Sequence, residues 1–428
     1  MKAVVYTLGC KVNDVESGSI IRGLETLGYQ VTKEMQPADL YVLNTCAVTA
    51  EAERKSRQTL GKMVSKSGGS PIIVCGCASQ KAPLSFLQKQ GNVVCVLGAK
   101  QKNAVLECVK KGLELGWESV KAGEQVCVQT PDTLPYEEMP TPHVLKTRNF
   151  VKIQDGCNRF CSYCIIPYLR GRSRSRSATS AAKEIWQSTA HETVITGIDL
   201  STYRDDEGND IADLLQMVKG APTRIRLGSI EVSMITEKLL SVLKEMPNFA
   251  PHFHLSLQSG STAVLKSMNR HYTREEYIEK CKRIYEAFEN AAITTDIIVG
   301  FPTETEEDFL LSLAMVKEVG FSQIHAFPYS PREGTNAYKK YKELSADIKK
   351  ERVARILEEG ALAKNAYLQK QIGRTLCVVP ERYENGYTEG YGENYVRVYV
   401  QGDAFDEPVF ATVQGLYKDG VWAKACEK

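Results

Sequence analysis

The chain has 428 residues, 43% of them hydrophobic and 25% charged, a globular composition with room for roughly two to four domains. Lys plus Arg is 54 against 52 Asp plus Glu, a net charge of +2, which excludes a uniformly basic coat and confines any nucleic-acid contact to a local patch. No apolar run approaches the ~18 residues of a membrane span, the first residues lack a signal-peptide layout, and the expected location is the cytoplasm.

In chain order, KAVVYTLGC reads as a strand and NDVESGSIIRGLETLG as a helix ended by Gly28. DLYVLNTC is a strand, 49–67 an exposed helix stopped by Gly68 and Gly69, SPIIVCGC and NVVCVLGA are strands, and NAVLECVKKGLELG is a helix. Strands alternating with helices predict an open parallel α/β sheet over residues 1–123. Residues 124–142 hold four prolines and no clear periodicity, and read as a linker. From 143 to 345, the strands NFVKIQDG, ETVITGI, RIRLGSIE, HFHLSLQ, TTDIIVG and SQIHAFPYS alternate with amphipathic helices. Six such units are too few for an eight-stranded barrel and predict a partial (β/α)6 barrel. A helical stretch from 346, connecting through 365, leads out of it. Residues 366–428 change character, with short runs rich in Tyr, Val and Gly that predict a small antiparallel β-barrel.

Thirteen cysteines are an odd number and too sparse for a disulfide scaffold. CNRFCSYC puts Cys157, Cys161 and Cys164 on a loop directly after the first barrel strand. Three thiolates leave a structural zinc one ligand short, and the one nearby histidine, His143, lies next to the linker. A [4Fe–4S] cube held by three thiolates instead keeps one iron open for an exogenous ligand. A zinc knuckle or packed thiols are the alternatives. Cys10, Cys46 and Cys77 each close a predicted parallel strand, in TLGCKVN, VLNTCAVT and VCGCASQ. The carboxyl ends of such strands share one edge, so residues distant in sequence converge there and form a candidate second triad. Cys75 competes with Cys77, because neighbours along a strand point to opposite faces and both do not serve one site. Buried core cysteines are the competing reading.

Polar residues stand at or near the open ends of later strands: Thr196, Gly197, Glu231, Gln258 and Asp296. Strand-end turn chemistry accounts for such residues equally well. In FPYS, Phe327 or Tyr329 is placed to meet a base or to pack in the core. With six histidines there is no evident His/Asp/Ser constellation, and no side-chain acid or base is assigned. Between 143 and 180 there are eight Lys or Arg and one acid, Asp155. Arg170, Arg172, Arg174 and Arg176 form a strip that suits phosphates, or a solvated surface. From 366 onward the charge is −2, with seven Lys or Arg and nine acids. Seven tyrosines there supply either stacking platforms or strand packing.

The C-x3-C-x2-C loop after the first barrel strand resembles that of the radical S-adenosylmethionine enzymes. TLGCKVN, NTCAVT, KSRQ, GCASQ, KIQDGCNRFCSYCIIPYLRGRSRSR, ITGIDLSTY, RIRLGSIE, HLSLQSGS, DIIVGFPTET and HAFPYSPREGT run in the order found in the methylthiotransferases, across essentially the whole chain. It looks most like the tRNA branch that converts N6-threonylcarbamoyladenosine to its 2-methylthio form. Its sisters modify isopentenyladenosine in tRNA or an aspartate of a ribosomal protein, and a non-catalytic iron–sulfur RNA-binding protein is a distant alternative. The resemblance implies two [4Fe–4S] clusters, a radical one on Cys157, Cys161 and Cys164 and an auxiliary one on Cys10, Cys46 and Cys77. It implies S-adenosylmethionine near Thr196, Gly197, Glu231, Gln258 and Asp296, and a C-terminal RNA-binding TRAM domain. It also implies a tRNA anticodon loop as substrate and an electron donor such as flavodoxin or ferredoxin. One S-adenosylmethionine then gives a methyl group to sulfur at the auxiliary site, and a second is cleaved to a radical that takes hydrogen from the adenine ring. Two positions depart from the family pattern: Thr303 replaces the usual Gly of GFPGET, and Tyr203 is followed by Arg204 and acids.

Overall fold

The structure, a computed structural model, describes residues 1–87, 91–100, 102–128, 135–142, 147–402 and 405–427. Two compact units interleave along the chain. The first is Met1–His143 with Gln154–Arg176 and Ser330–Lys339, and the second is Val144–Ile153 with Ser177–Tyr329 and Lys340–Lys428.

In the first unit the apolar runs form a parallel sheet in the order Gln30–Thr32, Lys2–Thr7, Leu40–Thr45, Ile72–Gly76, Val93–Leu97, Val126–Cys127. The three central strands of this order that begin at Leu40, Ile72 and Val93 are buried along their whole length, as a sheet covered on both faces requires. Helix Ala50–Ser67 is capped by Thr49, which accepts from Ala52 N–H at 3.1 Å, and is stopped by Gly68 at φ 59°. The two edge strands have three and two residues, too short to leave a periodic signal, and the sequence reading misses both. One of them falls within the segment read as a linker. That segment also packs back, since the Glu137 carboxylate accepts from the N–H groups of Lys102 and Asn103 at 2.8 Å each. It thereby satisfies the exposed donors at the start of helix Asn103–Leu115. Residues 129–134 of the linker, together with His143 and Lys146, lie outside the described residues.

The second unit holds six parallel strand segments in chain order, Arg148–Lys152, Glu192–Thr196, Arg224–Leu227, His252–Leu255, Ala292–Val299 and Gln323–Pro328. The third run is divided at Gly228: Arg224–Leu227 pairs with the second strand, while Ser229–Ile230 pairs with the fourth. Gly228 N–H donates to Ile195 O at 2.8 Å across the break. Helices interleave with the strands, giving the partial barrel expected from the sequence, and helix Ala346–Gln369 follows.

Five strands, Thr375–Glu384, Tyr387–Tyr391, Arg397–Gln401, Gly420–Ala425 and Val409–Tyr417, then close a small barrel. The antiparallel barrel expected from the sequence is present, and one of its five pairings, Arg397–Gln401 with Gly420–Ala425, runs parallel. The reason is topological: an odd ring of strands cannot alternate direction all the way round. This barrel is held against the first strand ends of the partial barrel by a buried charge centre. Glu192 is 0% exposed and accepts from Arg148 Nε at 2.7 Å, Arg224 Nε at 2.8 Å and Arg226 Nη2 at 2.6 Å. The arginines reach on to Glu381 and to the carbonyls of Cys377, Tyr391, Gly392 and Glu393. Among the described residues no helix is long and apolar enough to cross a membrane.

Candidate functional site

Cys10, Cys46 and Cys77 follow three neighbouring strands of the first unit's sheet, Lys2–Thr7, Leu40–Thr45 and Ile72–Gly76. Cys10 is exposed at the start of helix Lys11–Thr26, Cys46 is 4% exposed just past its strand, and Cys77 is 3% exposed and opens helix Cys77–Lys81. Two glycines allow the approach. Gly9 has φ +113°, and a Cβ there would lie 2.9 Å from Cys46 Sγ. Gly76 has φ +111°, and a Cβ there would strike the Thr45 backbone. Asn13 pins two of the loops by donating from Nδ2 to Leu8 O at 2.7 Å and Thr45 O at 3.1 Å. The three thiols are close enough to act on one another electrostatically. Burial pushes the Cys46 thiol up to about 11, with the neighbouring thiols adding to the rise and Arg170 opposing it. Cys75 is 0% exposed inside its strand, in the apolar core of the sheet, beside the Lys102 side chain.

The second triad sits on the loop 156–165. Gly156 has φ +70°, and a Cβ there would run into the Gly171–Arg172 backbone, to which Cys157 N–H donates at 3.0 Å. Gln154, fully buried, donates from Nε2 to the carbonyls of Asp155 and Gly156 and to Ser173 Oγ. Arg159 N–H points at Cys157 Sγ, 3.5 Å away, and Cys164 N–H donates to Cys161 O at 2.9 Å. Helix Ile166–Arg170, which follows the loop, packs against helix Cys77–Lys81. The segment 330–339 belongs here too. Ala337 N–H donates to Ser162 O at 2.7 Å, and Arg332 pairs with Glu53, which also holds Arg57 and Lys81. Those cations outweigh burial and lower the Glu53 carboxyl to about 2.

Sequence reasoning misses the group that links these loops. Arg170, expected on the phosphate-facing strip, is 0% exposed and paired with Glu16 and Asp155, so the expectation of an RNA contact is corrected for this residue. Burial works against its charge, and the two carboxylates outweigh that. Lys102, 1% exposed, donates to Asn44 Oδ1 at 3.0 Å and faces Glu16 at 3.6 Å. A signal was present: Asn13 and Glu16 stand three and six residues after Cys10, polar positions on a buried helix face. On the rest of the strip, Arg174 is bound to Asp155 at 2.7 Å and Arg176 to Glu138 at 3.1 Å. Arg172 is exposed and lies 4.5 Å over the Phe160 ring.

No disulfide joins any of the 13 cysteines. Among the described residues no three His, Cys, Asp or Glu side chains close around a point as ligands of one metal ion. Three thiolates are one ligand short of a closed zinc site and match a cubane that keeps one iron open. The charge of the surroundings fits as well. Arg170, Lys102 and Arg174 share the two carboxylates Glu16 and Asp155, leaving a positive excess beside thiols that become anionic when they ligate iron.

The remaining candidates belong to the second unit. Thr196, 4% exposed, ends its strand, and its carbonyl accepts from Ile153 N–H at 2.9 Å. Gly197, half-buried, follows it. Glu231 is 5% exposed and bound by Ser233 and, at 3.4 Å, by Arg270. Gln258 has φ 66° and exchanges backbone hydrogen bonds with the Asp296 strand, donating to Asp296 O at 2.9 Å and accepting from Ile298 N–H at 2.8 Å. Asp296 lies in mid-strand, 3.1 Å from His254 Nε2. Gln258 and Asp296 are therefore brought together. Tyr329 is buried against Phe301, whereas Phe327 is 48% exposed. In the C-terminal barrel, Tyr395 stacks on His252 and on Tyr391, and Tyr387 stacks on Tyr417, so these rings serve packing.

Comparison with known proteins agrees with this arrangement. Residues 2–98 match the Uncharacterized protein family UPF0004, and residues 151–316 match the Radical SAM superfamily. The chain is 34% identical to the Threonylcarbamoyladenosine tRNA methylthiotransferase MtaB of Bacillus subtilis, over 93% of this chain and 90% of that one. It is 36% identical to the protein of the same name from Aquifex aeolicus, over 91% and 95%. It is 34% identical to the tRNA-2-methylthio-N(6)-dimethylallyladenosine synthase of Staphylococcus aureus, over 88% of this chain and 75% of that one. Among solved structures, the radical S-adenosylmethionine methyltransferase TsrM from Kitasatospora setae shares the fold, with TM-score 0.53 at 12% identity over 77% of this chain and 73% of that one. Similarity of this extent, on top of two cysteine triads carried on strand-end loops, establishes that the chain belongs to the radical S-adenosylmethionine methylthiotransferases, a family of transferases that use S-adenosylmethionine and a [4Fe–4S] cluster.

Proposed function

We propose that this chain methylthiolates N6-threonylcarbamoyladenosine beside the anticodon of tRNA, giving the 2-methylthio nucleoside. The observation that carries the reading is the placement of both cysteine triads in one compact unit, on loops fixed by positive-φ glycines and by a shared buried charge group. Near-complete coverage of relatives named for this substrate supports it. The dimethylallyladenosine synthase is covered over only 75% of its length, which favours the threonylcarbamoyl branch.

Two [4Fe–4S] clusters, on Cys157, Cys161 and Cys164 and on Cys10, Cys46 and Cys77, would supply the electron that cleaves S-adenosylmethionine and the open iron that carries sulfur. The protein's share is placement. Gln154 and Gly171 hold the backbone around Cys157, and Asn13 and Thr45 hold the N-terminal loops in register. Thr196, Gly197, Glu231, Gln258 and Asp296 are the proposed contacts to S-adenosylmethionine. Arg172, stacked over Phe160, which itself meets Tyr168 edge-on, is the proposed phosphate or base contact, supported by its exposure and by that ring. The last 63 residues serve as a TRAM domain, the electron donor is a flavodoxin or ferredoxin, and the site of action is the cytoplasm.

The test is nucleoside analysis of tRNA from a deletion strain, with and without the plasmid-borne gene. Loss and return of 2-methylthio-N6-threonylcarbamoyladenosine is the expected result. Unchanged 2-methylthio nucleosides would remove tRNA as the substrate, and loss of the dimethylallyl derivative alone would move the chain to the sister branch.

A further inference from the structure

Arg170 is completely buried at the end of helix Ile166–Arg170, and a charge in that position needs partners. Its Nη1 donates to Glu16 Oε1 at 2.8 Å and Asp155 Oδ1 at 3.0 Å, and its Nη2 to Asn13 Oδ1 at 2.6 Å and Glu16 Oε2 at 3.2 Å. Nε has no acceptor among the described residues. The partners come from both cysteine regions. Asn13 and Glu16 lie on the helix that starts after Cys10, and Asp155 precedes Gly156 and Cys157. Helix Ile166–Arg170, which ends on this guanidinium, packs against helix Cys77–Lys81, which Cys77 opens, and the charge acts electrostatically on Cys77 and Cys46. Neither carboxylate is its own, for Lys102 faces Glu16 and Arg174 holds Asp155. The group therefore carries a cation in excess, next to two buried sulfurs.

Resting on the reading that Cys10, Cys46 and Cys77 hold a [4Fe–4S] cluster, we infer that Arg170 is a positioning residue for that cluster. It fixes a positive charge beside the helix that Cys77 opens, so that the auxiliary cluster is reduced more easily. Through Asp155 the same guanidinium ties this setting to the loop of the radical triad. The physical basis is that one-electron reduction adds negative charge to an already anionic centre, and hydrogen bonds and cations at the sulfurs stabilise the reduced form.

The test uses the full chain carrying Cys157→Ala, Cys161→Ala and Cys164→Ala, reconstituted anaerobically, with the midpoint potential read by redox titration under electron paramagnetic resonance. Added to that background, Arg170→Gln should make reduction at least tenfold harder, a shift of about 59 mV to the negative side for one electron. Glu16→Gln should shift the midpoint in the opposite direction, and Arg170→Lys should stay near the parent. A merely structural role does not produce opposite signs from the two members of one ion pair. If Arg170→Gln fails to retain iron, the Glu16→Gln shift decides. A parent with about four irons whose midpoint does not move in Glu16→Gln, or moves the same way in both variants, overturns the inference alone. A parent with no iron overturns the two-cluster reading and the inference with it.

Discussion

Replacing Gly156 by Ala tests whether the loop backbone, and not only its thiols, makes the radical site. Gly156 has φ +70°, where an L side chain costs roughly 1–2 kcal/mol. A Cβ there would lie 2.7 Å from Gly171 O and closer still to Arg172 O. The loop must move to relieve that overlap, and the bond from Cys157 N–H to Gly171 O, 3.0 Å long, goes with it for about 1 kcal/mol more. The total of roughly 2–3 kcal/mol is about a 30- to 150-fold depletion of the ligating conformation. Iron in the reconstituted Gly156→Ala protein should then fall from about eight per chain to about four. 5′-Deoxyadenosine formed with dithionite and S-adenosylmethionine should fall to background, while the thermal transition stays in place. A variant with eight irons and wild-type deoxyadenosine would refute the reasoning, because it would show that the loop tolerates the strain.

Four further outcomes follow from the same structure. Cys77→Ala should lose about half the iron, whereas Cys75→Ala, which removes a thiol enclosed in the core, should keep about eight irons at a modest cost in stability. Glu192→Gln strands three arginines and should cost about 3–5 kcal/mol, lowering the melting temperature by roughly 10 °C in calorimetry without changing the iron count. Burial pushes the Glu304 carboxyl up to about 7 from an ordinary 4.5, outweighing Gly300 N–H and Arg352. The folded state therefore binds more protons than the unfolded one across that window, and stability falls by about 3 kcal/mol as pH rises through it. Urea titrations at the two ends should show that loss in the wild type and not in Glu304→Gln. Arg172→Ala should weaken tRNA binding severalfold at every sequence tested and lower the salt slope by about one, as measured by filter binding.

The strands were legible because β-branched runs such as YVLN and IIVC carry their own signal, and the cysteines were legible because each stands where such a run ends. The strands Gln30–Thr32 and Val126–Cys127 were not, since two or three residues hold no period. Charge was read least well. In a linear sequence RGRSRSR is a surface strip, yet Arg170 is interior because Glu16, 154 positions away, and Asp155 are brought to it by the fold. The same holds for Glu192, whose three arginines come from the two strands that flank its own. Segment 330–339 joins the first unit through Arg332 and Glu53, a pairing that no local pattern announces. The parallel closure of the last barrel was missed because the sequence shows its hairpins but not that five strands complete the ring.

The most direct test of the central claim is iron and sulfide per chain in three anaerobically reconstituted proteins: the wild type, Cys157→Ala/Cys161→Ala/Cys164→Ala, and Cys10→Ala/Cys46→Ala/Cys77→Ala. Two independent three-thiolate clusters predict about eight, four and four irons. An N-terminal triple variant that keeps the wild-type count, or a wild type that holds only four, would contradict the account.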